Sequence, residues 1–408
     1  MSKVTLGSGI VWLCRAGDRI RWPAKLLTGR TIRAPSWRER SNEPSGAGSQ
    51  LLAPTGRSPT PLLHAGRAGS LIVVAVEIPE KALIAKIRHL AKSASNAAVM
   101  AGIGDDCAVL RLQPRIGERS KSKQKQNDVL VTTDFSLEGI HFRRDWHSAE
   151  SIGHRCLARG LSDIAAMGGE PVAAFLSLAL PRGLPKGWVE GFAQGLLTLA
   201  KRYGVTLAGG DTAQSPDGIL ADIVVVGTVS KGRSVLRSGA RPGDGIYVSG
   251  ELGGSAAAIA EMSKKPKKKL NSRDYPRHFL PEPRIELGRI LREKGLVSAM
   301  VDTSDGLSTD LAHICEESGV GAEILAEAIP RASVGKPARE VSLELALHGG
   351  EDYELLFTAP RSKRIPSRIV NVPITMIGYT TRGRTMFLIN ENGVRRELPA
   401  RGWEHFRN

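Results

Sequence analysis

The chain has 408 residues, 41% of them hydrophobic and 24% charged, and a formal net charge of +16. This length accommodates two domains with hydrophobic cores, and the composition excludes a disordered or fibrous protein. The longest aliphatic run, at residues 71–76, is far shorter than the roughly 20 residues that a membrane helix needs, so the sequence predicts no membrane span.

The positive charge is concentrated in a few segments. Residues 1–72 contain 11 Lys and Arg residues against three acids, and two further basic runs lie at 115–125 and 264–269. Neither run has the interleaved aromatic residues that stack on nucleic-acid bases, so we predict no nucleic-acid partner. A mildly basic protein body is instead suited to anionic phosphate substrates.

Residues 1–72 differ in composition from the rest of the chain. They are rich in Arg, Pro, Gly and Ser and show no sustained hydrophobic period. We interpret them as a disordered basic extension, or as the result of a start site placed too far upstream, with an organellar transit peptide as the alternative. We therefore expect a chain that lacks them to fold and to be active, which expression and assay of the truncated protein would test.

The four cysteines are widely spaced and form no Cys-x-x-Cys pair. This spacing argues against a zinc site or a disulfide framework and is typical of a reducing compartment, so we expect a cytoplasmic location. Cys107 directly follows two aspartates, but we interpret it as a small packing residue rather than as a nucleophile. The others are Cys14, Cys156 and Cys315.

From about residue 77 the hydrophobic pattern changes repeatedly between helical and strand periods, which predicts an α/β or mixed α+β protein. We place a domain boundary near 231–241, with an N-terminal domain at 77–232 and a C-terminal domain at 241–408. Ser148 is the predicted N-cap of the second helix. The predicted helices cover 78–92, 148–167, 188–203, 256–262, 283–293 and 308–317, and the predicted strands cover 108–112, 128–133, 173–180, 206–208, 219–229, 245–249, 353–358, 374–379 and 386–390.

Four short apolar runs each lead into an aspartate beside Gly, Ser or Thr, and they end at Asp106, Asp134, Asp211 and Asp305. A buried strand that delivers a carboxylate at its end is unfavourable unless the carboxylate has a partner. Four of them together predict a site for hard divalent cations, which usually serve phosphate chemistry. Asp105 adjoins Asp106 and points to the opposite face of an extended segment, so we expect one of the two to serve the site and the other to make a local contact.

Neighbouring residues extend the ligand set at two of these runs. Thr132, Thr133 and Asp134 offer hydroxyl, carbonyl and carboxylate oxygens at one predicted strand end. Asp302 and Asp305 flank Ser304, and their alternative role is to cap the helix predicted at 308–317.

Two further polar residues have no clear role from their spacing. Asp163 follows Arg159 by four residues on a predicted helix, which favours an ion pair worth only about 0.3 kcal/mol. His141 is an isolated loop histidine to which the pattern gives no role.

Glu351 and Asp352 follow two glycines and precede an apolar strand. Either these acids cap a turn or one of them binds a polar or cationic ligand group, and the pattern favours neither.

The usual phosphate-binding motifs are missing from the sequence. It has no GxxxxGK[ST] loop and no kinase HRD and DFG set, and the pair Gly102 and Gly104 lacks the third glycine of the dinucleotide fingerprint. Any nucleotide would therefore be held mainly through metal ions and backbone amides.

Taken together, these segments resemble thiamine-monophosphate kinase, within the superfamily that includes aminoimidazole ribonucleotide synthetase and selenophosphate synthetase. The resemblance runs from about residue 77 to residue 406, and residues 1–72 have no counterpart in it. Each motif is weak alone, but seven in the same order are specific. They are GIGDDCA (102–108), TTDFSLEGIH (132–141), LSDIAAMG (161–168), GGDT (209–212), RSGARPGD (237–244), DTSDGL (302–307) and GGEDYEL (349–355).

The resemblance implies two α/β domains, a homodimer formed through the mixed sheet of the first domain, and ATP-dependent phosphorylation of thiamine monophosphate to thiamine diphosphate. The γ-phosphoryl group would pass in line to the substrate phosphate, with several Mg²⁺ ions gathering the charges. It implies Asp106, Thr132, Thr133, Asp134, Asp163, Asp211, Asp302 and Asp305 as metal ligands, Gly210, Asp211, Arg237, Ser304 and Tyr203 on the nucleotide side, and His141, Glu351 and Trp403 in the thiamine phosphate site.

The chain departs from this family pattern before Asp163, where it has Arg159 and Gly160 in place of a common Val-Asn pair. One alternative is a related ATP-dependent enzyme with a different phosphate or carboxylate acceptor. Another is a basic nucleic-acid-binding protein that has lost catalysis. That second alternative predicts damaged metal ligands, whereas every aspartate that the resemblance requires is present.

Overall fold

The computed structural model describes residues 79–91, 96–111, 126–265 and 269–405. The predictions for the extension at 1–72, for Cys14 and for the basic run at 115–125 lie outside these residues. Within the described ranges, no helix combines the length and the apolar character needed to cross a membrane.

The first half of the described chain folds around a mixed sheet. Its elements are α1 (Glu80–Ala91), β1 (Val99–Ala101), β2 (Ala108–Leu110), β3 (Asn127–Leu137), α2 (Ala149–Ala166), β4 (Glu170–Leu180), α3 (Trp188–Tyr203), β5 (Thr206–Gln214) and β6 (Leu220–Ser230). The strand order is β1-β2-β3-β6-β4-β5, in which β4 and β5 are parallel and the other neighbours antiparallel. Helix α3 makes the crossover that a parallel pair requires.

One face of this sheet is covered by α2 and α3, and no helix or sheet of the described ranges covers the other face. Side chains alternate along β3, so Leu130 is fully buried whereas Phe135, on the opposite face, is 54% exposed. Val172 and Phe175 of β4 are also exposed.

Helix α2 is buried along most of its length. It begins as predicted, because the Ser148 hydroxyl accepts a hydrogen bond from the Ser151 N–H at 3.2 Å. Gly160 lies inside the helix, where glycine costs about 1 kcal/mol relative to alanine. A Cβ at Gly160 would lie 2.6 Å from a methyl carbon of Val225, so close packing of the helix on β6 requires the glycine.

The second half of the described chain forms a second, larger sheet. Its elements are β7 (Gly245–Ser249), α4 (Gly254–Lys264), α5 (Pro276–Phe279), α6 (Ile285–Glu293), β8 (Ala299–Asp302), α7 (Leu307–Ser318), β9 (Gly321–Leu325), β10 (Ser333–Val334), β11 (Arg339–Glu340), α8 (Leu343–His348), β12 (Leu355–Ala359), β13 (Arg368–Ile369), β14 (Val372–Thr381), β15 (Met386–Ile389) and β16 (Arg395–Glu397). The strand order is β16-β15-β9-β14-β7-β12-β8, with β13 paired to β14 and β10 paired to β11. The core around α2 continues into this sheet through Met300 and Phe357.

The mixed α/β architecture agrees with the prediction, but two of the four aspartate runs do not end where the sequence suggested. The predicted strand at 206–208 continues past Gly210 to Gln214, and the strand containing Asp134 continues to Leu137. Asp134 and Asp211 therefore lie inside strands, whereas Asp302 does end β8. A Cβ at Gly210 would lie 1.8 Å from the Leu176 carbonyl oxygen, so the glycine allows β4 and β5 to approach rather than ending the strand.

The domain boundary near 231–241 stays a prediction. The strands of the first sheet end at Ser230, and those of the second begin at Gly245.

Candidate active site

A cavity of about 450 Å³ is bordered by the middle of β3, by α2, by the segment that follows β8 and by the chain around 350–353 and 403–405. Residues that are far apart in the sequence meet there. The predicted site residues that line it are Thr133, Asp134, His141, Asp163, Asp302, Ser304, Asp305, Glu351 and Trp403.

Three carboxylates, two of them buried and one half-buried, form an acidic cluster at one side of this cavity. Asp106, Asp163 and Asp302 each bring an oxygen within 4.8 Å of the other two. Burial raises the pKa of Asp163 well above its ordinary value, and the charges of Asp134, Asp302 and Asp106 raise it further. Burial and the charge of Asp106 raise the pKa of Asp302 to about 7. Such mutual repulsion destabilises the ionised cluster unless a cation is bound.

The remaining contacts of the cluster fit a cation site. One carboxylate oxygen of Asp106 and one of Asp134 are buried without a hydrogen-bond partner among the described residues. The Thr132 hydroxyl donates to Asp163, and the Ser162 hydroxyl donates to Asp302 at 2.6 Å, so both carboxylates are held in place. An all-oxygen donor set with unpartnered carboxylate atoms is what Mg²⁺ or a similar hard cation requires.

The adjacent residues Asp105 and Asp106 make different contacts. An Asp105 oxygen accepts a hydrogen bond from the Arg237 N–H at 2.7 Å, which is a local contact. Asp106 joins the cluster, and one of its oxygens accepts from the Arg237 guanidinium at 2.6 Å. Arg237 therefore lies beside the acidic cluster.

The two alternatives that rested on local spacing are wrong. Helix α7 begins after Gly306, whose N–H donates to Asp310 at 2.9 Å, so neither Asp302 nor Asp305 caps it. The ion pairs of Arg159 within the described chain are with Asp134 and Glu351, each at 3.7 Å, and not with Asp163. Burial raises the pKa of Asp305 to about 6.

Residues on the other side of the cavity have different partners. The Nδ1 atom of His141 accepts from the Leu137 N–H at 3.0 Å, and burial, followed by the charge of Arg159, lowers the pKa of His141 to about 3. Its imidazole is therefore neutral at physiological pH. Trp403 is 54% exposed at the cavity. Its backbone N–H donates to the Asp305 carbonyl at 2.9 Å.

The two acids of the 349–355 segment make different contacts, and ligand binding by Glu351 stays a prediction. The carboxylate of Asp352 accepts from the backbone N–H groups of Gly253 and Ser255 and so caps α4. Glu351 faces the cavity and pairs with Arg155 at 2.8 Å. Burial raises the pKa of Glu351, but the guanidinium groups of Arg155 and Arg159 outweigh burial, and the net effect is a lowered pKa.

Several predicted site residues either lie away from the cavity or are bound to other groups of the chain. Tyr203 donates its hydroxyl to the Pro283 carbonyl at 2.9 Å. Gly210 and Asp211 lie on the fully exposed edge strand β5. Thr133 borders the cavity, but its hydroxyl donates to Asp222 at 2.7 Å.

Three further residues belong to the site and were not predicted: Arg155, Glu80 and His405. Glu80 and His405 line the cavity, and the Glu80 carboxylate accepts from the His405 N–H at 2.8 Å. Arg155 had a detectable signal, because it precedes Arg159 and Asp163 at intervals of four residues and so shares their face of α2.

A buried histidine pair lies behind the cavity. The Nε2 atoms of His147 and His278 are 2.8 Å apart, and the Nδ1 atom of His278 is 2.9 Å from the Ser255 hydroxyl. Only one proton fits between the two facing nitrogens. Burial, followed by the charge of Arg155, lowers the pKa of His147 to about 4 and that of His278 well below its ordinary value.

We expect this pair to destabilise the protein in acid. Between pH 6.5 and about 4 the folded state binds fewer protons at His147 than the unfolded state, so the free energy of unfolding falls as the pH falls through this window. The lowered pKa of His147 corresponds to a loss of roughly 3 kcal/mol in the free energy of unfolding across this window. Urea unfolding of the wild type and of His147→Gln at pH 7 and pH 4.5 would measure it, because the variant should lose less stability. Equal losses in both proteins would contradict the assignment.

The chain is similar to AIR synthase related proteins and to thiamine-monophosphate kinases. Residues 104–229 match the family model for AIR synthase related protein, N-terminal domain, and residues 241–392 match that for AIR synthase related protein, C-terminal domain. Thiamine-monophosphate kinase of Salmonella typhimurium is 36% identical over 338 residues, which cover 80% of this chain and 98% of that protein. The Bacillus subtilis protein of the same name is 33% identical over 321 residues, 76% of this chain and 95% of its own length.

A solved structure of AaThiL complexed with AMPPCP and TMP is also similar. Its TM-score is 0.66 at 31% sequence identity, and the match covers 82% of this chain and 100% of that chain.

Proposed function

Because this chain belongs to the thiamine-monophosphate kinase family of AIR synthase related proteins, we propose that it transfers the γ-phosphoryl group of ATP to thiamine monophosphate, forming thiamine diphosphate and ADP. The observation that carries the proposal is one cavity with an acidic cluster on one side and Glu351 and His141 on the other. The AaThiL structure supports it, because AMPPCP is an ATP analogue and TMP is the acceptor.

The acidic cluster fits the Mg²⁺ ions that such a transfer uses. Asp106, Asp163 and Asp302 would hold them, with Asp134 close to Asp163 and Asp305 elsewhere on the cavity lining. Bound Mg²⁺ supplies neutralisation of the charge on the reacting phosphates. The predicted roles of Arg237 and Ser304 toward the nucleotide belong to this proposal, and Asp106 fixes the Arg237 guanidinium beside the cluster.

The residues of the chain orient the reactants rather than move protons. The acceptor oxygen belongs to an anionic phosphate, so the reaction needs no strong general base, and neutral His141 serves as a hydrogen-bonding group. Arg155 holds the Glu351 carboxylate towards the cavity, where it can face the cationic thiazolium or the aminopyrimidine. Trp403 offers an exposed ring surface at the same side.

The proposal includes a homodimer formed through the open face of the first sheet. Val172 and Phe175 expose apolar surface there, beside the edge strand β5, whose residues are all exposed. An uncovered apolar sheet face of this kind marks a protein–protein interface. Light scattering should therefore give the mass of two chains, and Phe175→Asp should shift the protein towards monomer. A monomeric wild type would reject the dimer.

We also propose a cytoplasmic location. Cys107, Cys156 and Cys315 are buried free thiols, as in proteins of a reducing compartment. Fractionation of the source cells with an antibody against this chain would test the assignment.

The central experiment is to incubate the protein with ATP, Mg²⁺ and thiamine monophosphate and to measure thiamine diphosphate and ADP. We expect stoichiometric formation of both products and complete loss of turnover with excess EDTA. ADP formed only with a different phosphate or carboxylate acceptor would instead support a related ATP-dependent enzyme. A folded protein without any turnover would reject the proposal.

A further inference from the structure

One face of α2 presents three charged side chains to the site at intervals of one helical turn: Arg155, Arg159 and Asp163. The two outer ones are closely bound. Arg155 pairs with Glu351 at 2.8 Å and also donates to the His278 carbonyl. Asp163 accepts a hydrogen bond from Thr132 and belongs to the acidic cluster. The arginine between them has a different environment.

Arg159 is poorly satisfied although it is mostly buried. Its side chain is 17% exposed, and its guanidinium lies 3.7 Å from Asp134 on one side and 3.7 Å from Glu351 on the other. Both distances exceed those of good hydrogen bonds. Its Nε atom is buried without a partner among the described residues. A buried guanidinium with unused donors and loose ion pairs is available to bind an additional anion.

The position of Arg159 fits an anion that spans the cavity. Among the described residues that line it, Arg159 is the one Arg or Lys, while Asp134, Asp163, Asp302, Asp305 and Glu351 are all acidic. It lies between Asp134, on the side of the cation cluster, and Glu351, on the side of the thiamine-binding residues. That is where a nucleotide phosphate and an acceptor phosphate would meet.

We propose that Arg159 is a catalytic residue, whose guanidinium binds the phosphoryl oxygens between the two substrates and stabilises the charge that develops during transfer. The inference rests on the proposed function and adds a residue that the family resemblance did not assign.

The proposed phosphoryl transfer breaks one phosphorus–oxygen bond and forms another, and it requires no proton transfer. The bond between the γ-phosphorus and its bridging oxygen breaks, and the electron pair leaves with ADP. A phosphate oxygen of thiamine monophosphate forms the new phosphorus–oxygen bond. Arg159 donates hydrogen bonds to the equatorial oxygens of the transferring group throughout, as a fixed cation that remains protonated.

A purely structural role would make Arg159 a counter-ion for Asp134 and Glu351. Glu351 already has a closer partner in Arg155, at 2.8 Å against 3.7 Å. Removal of a structural counter-ion and removal of a catalytic cation also have different effects on stability and kinetics. Loss of the first alters stability or substrate binding, whereas loss of the second lowers kcat with much smaller changes in KM.

The test compares Arg159→Gln and Arg159→Lys with the wild type by steady-state kinetics, with both substrates varied. Arg159→Gln should lower kcat about 100- to 1,000-fold, as loss of one preorganised transition-state donor does, while both KM values change by about threefold or less. Arg159→Lys keeps the charge but loses the planar fork, so kcat should fall about tenfold. Added guanidinium should restore part of the activity of the Gln variant.

The matched control is Arg292→Gln. Arg292 is also buried, also has an unpartnered Nε and lies outside the cavity lining, so its loss should leave kcat unchanged. Circular dichroism confirms the fold of each variant.

The possible outcomes separate this inference from the proposed function. An active wild type together with an Arg159→Gln variant that retains kcat within about twofold, or that changes only KM, overturns the catalytic role alone. If the Gln variant does not fold, the Lys variant decides, and an unchanged kcat there overturns the role. A wild type without turnover rejects the proposed function, and this inference with it.

Discussion

Asp163→Asn is expected to lower kcat about 1,000-fold, equivalent to ~4 kcal/mol, while it makes the metal-free protein more stable. Activity is lost because the variant removes one carboxylate of the acidic cluster that would hold Mg²⁺. Stability rises because burial and the neighbouring carboxylates raise the pKa of Asp163, so its ionised form opposes folding at neutral pH. The neutral amide retains an acceptor for the Thr132 hydroxyl.

The measurement is kcat with saturating substrates and Mg²⁺, together with thermal unfolding in EDTA. Asp128→Asn is the matched control, because Asp128 is also buried but pairs with Arg111 at 2.8 Å, which lowers its pKa. This second variant should keep kcat and lose stability. A fully active Asp163→Asn variant would show that the cluster does not bind the metal as proposed. A variant that unfolds at a lower temperature than the wild type in EDTA would contradict the charge repulsion within the cluster.

Gly195→Ala should destabilise the folded protein by roughly 3 kcal/mol, at the upper end of overpacking effects. A Cβ at Gly195 on α3 would lie 1.9 Å from the Glu150 carbonyl oxygen of α2, a contact that only backbone movement can relieve. Gly153 on α2 makes the reciprocal approach, since its Cβ would lie 1.9 Å from the Phe192 carbonyl oxygen. The two helices are therefore in contact through their backbones.

Gly191→Ala provides the control one turn earlier on the same helix. The atom nearest to a Cβ there is the end of the flexible Glu150 side chain, at 2.9 Å, which can move aside. The next is the Ala149 Cβ at 3.1 Å, which needs a shift of only a few tenths of an ångström. Alanine also favours helix over glycine by about 1 kcal/mol, so this variant should be neutral or stabilised. Urea unfolding at pH 7 compares the two variants. Similar free energies of unfolding for both would refute backbone contact as the cause.

Much of the fold was predictable wherever a single element carries its own pattern. Helix α3 and strand β7 match their predicted residues because apolar periodicity and flanking glycines mark both ends locally. Strands β9, β10 and β11 and helix α8 were missed. They are short and are held by partners elsewhere in the chain, such as the pairing of β9 with β14. A short segment has too few residues to show a period.

The site was predictable by residue type more than by position. Carboxylates beside Gly, Ser and Thr predicted an acidic cluster, and the structure forms one from Asp106, Asp163 and Asp302, whereas Asp211 lies on the exposed strand β5. The metal-binding role of the cluster stays a prediction. Spacing failed for Asp163, because its hydrogen-bond partner Thr132 lies 31 residues away and replaces the local pair with Arg159. The sequence alone could not show this, since the choice between a near and a distant partner depends on the tertiary approach of α2 to β3.

Helix α2 touches its surroundings through glycines on three sides. Gly153 faces α3, Gly160 faces β6, and a Cβ at Gly288 of α6 would lie 2.0 Å from the Ala165 carbonyl oxygen. Larger side chains cannot be introduced at these points without moving the helix. Directed evolution of a new acceptor specificity should therefore find its productive changes in the 350–353 segment, which faces α2 through Glu351, while Arg159 and the glycine contacts stay invariant among active clones.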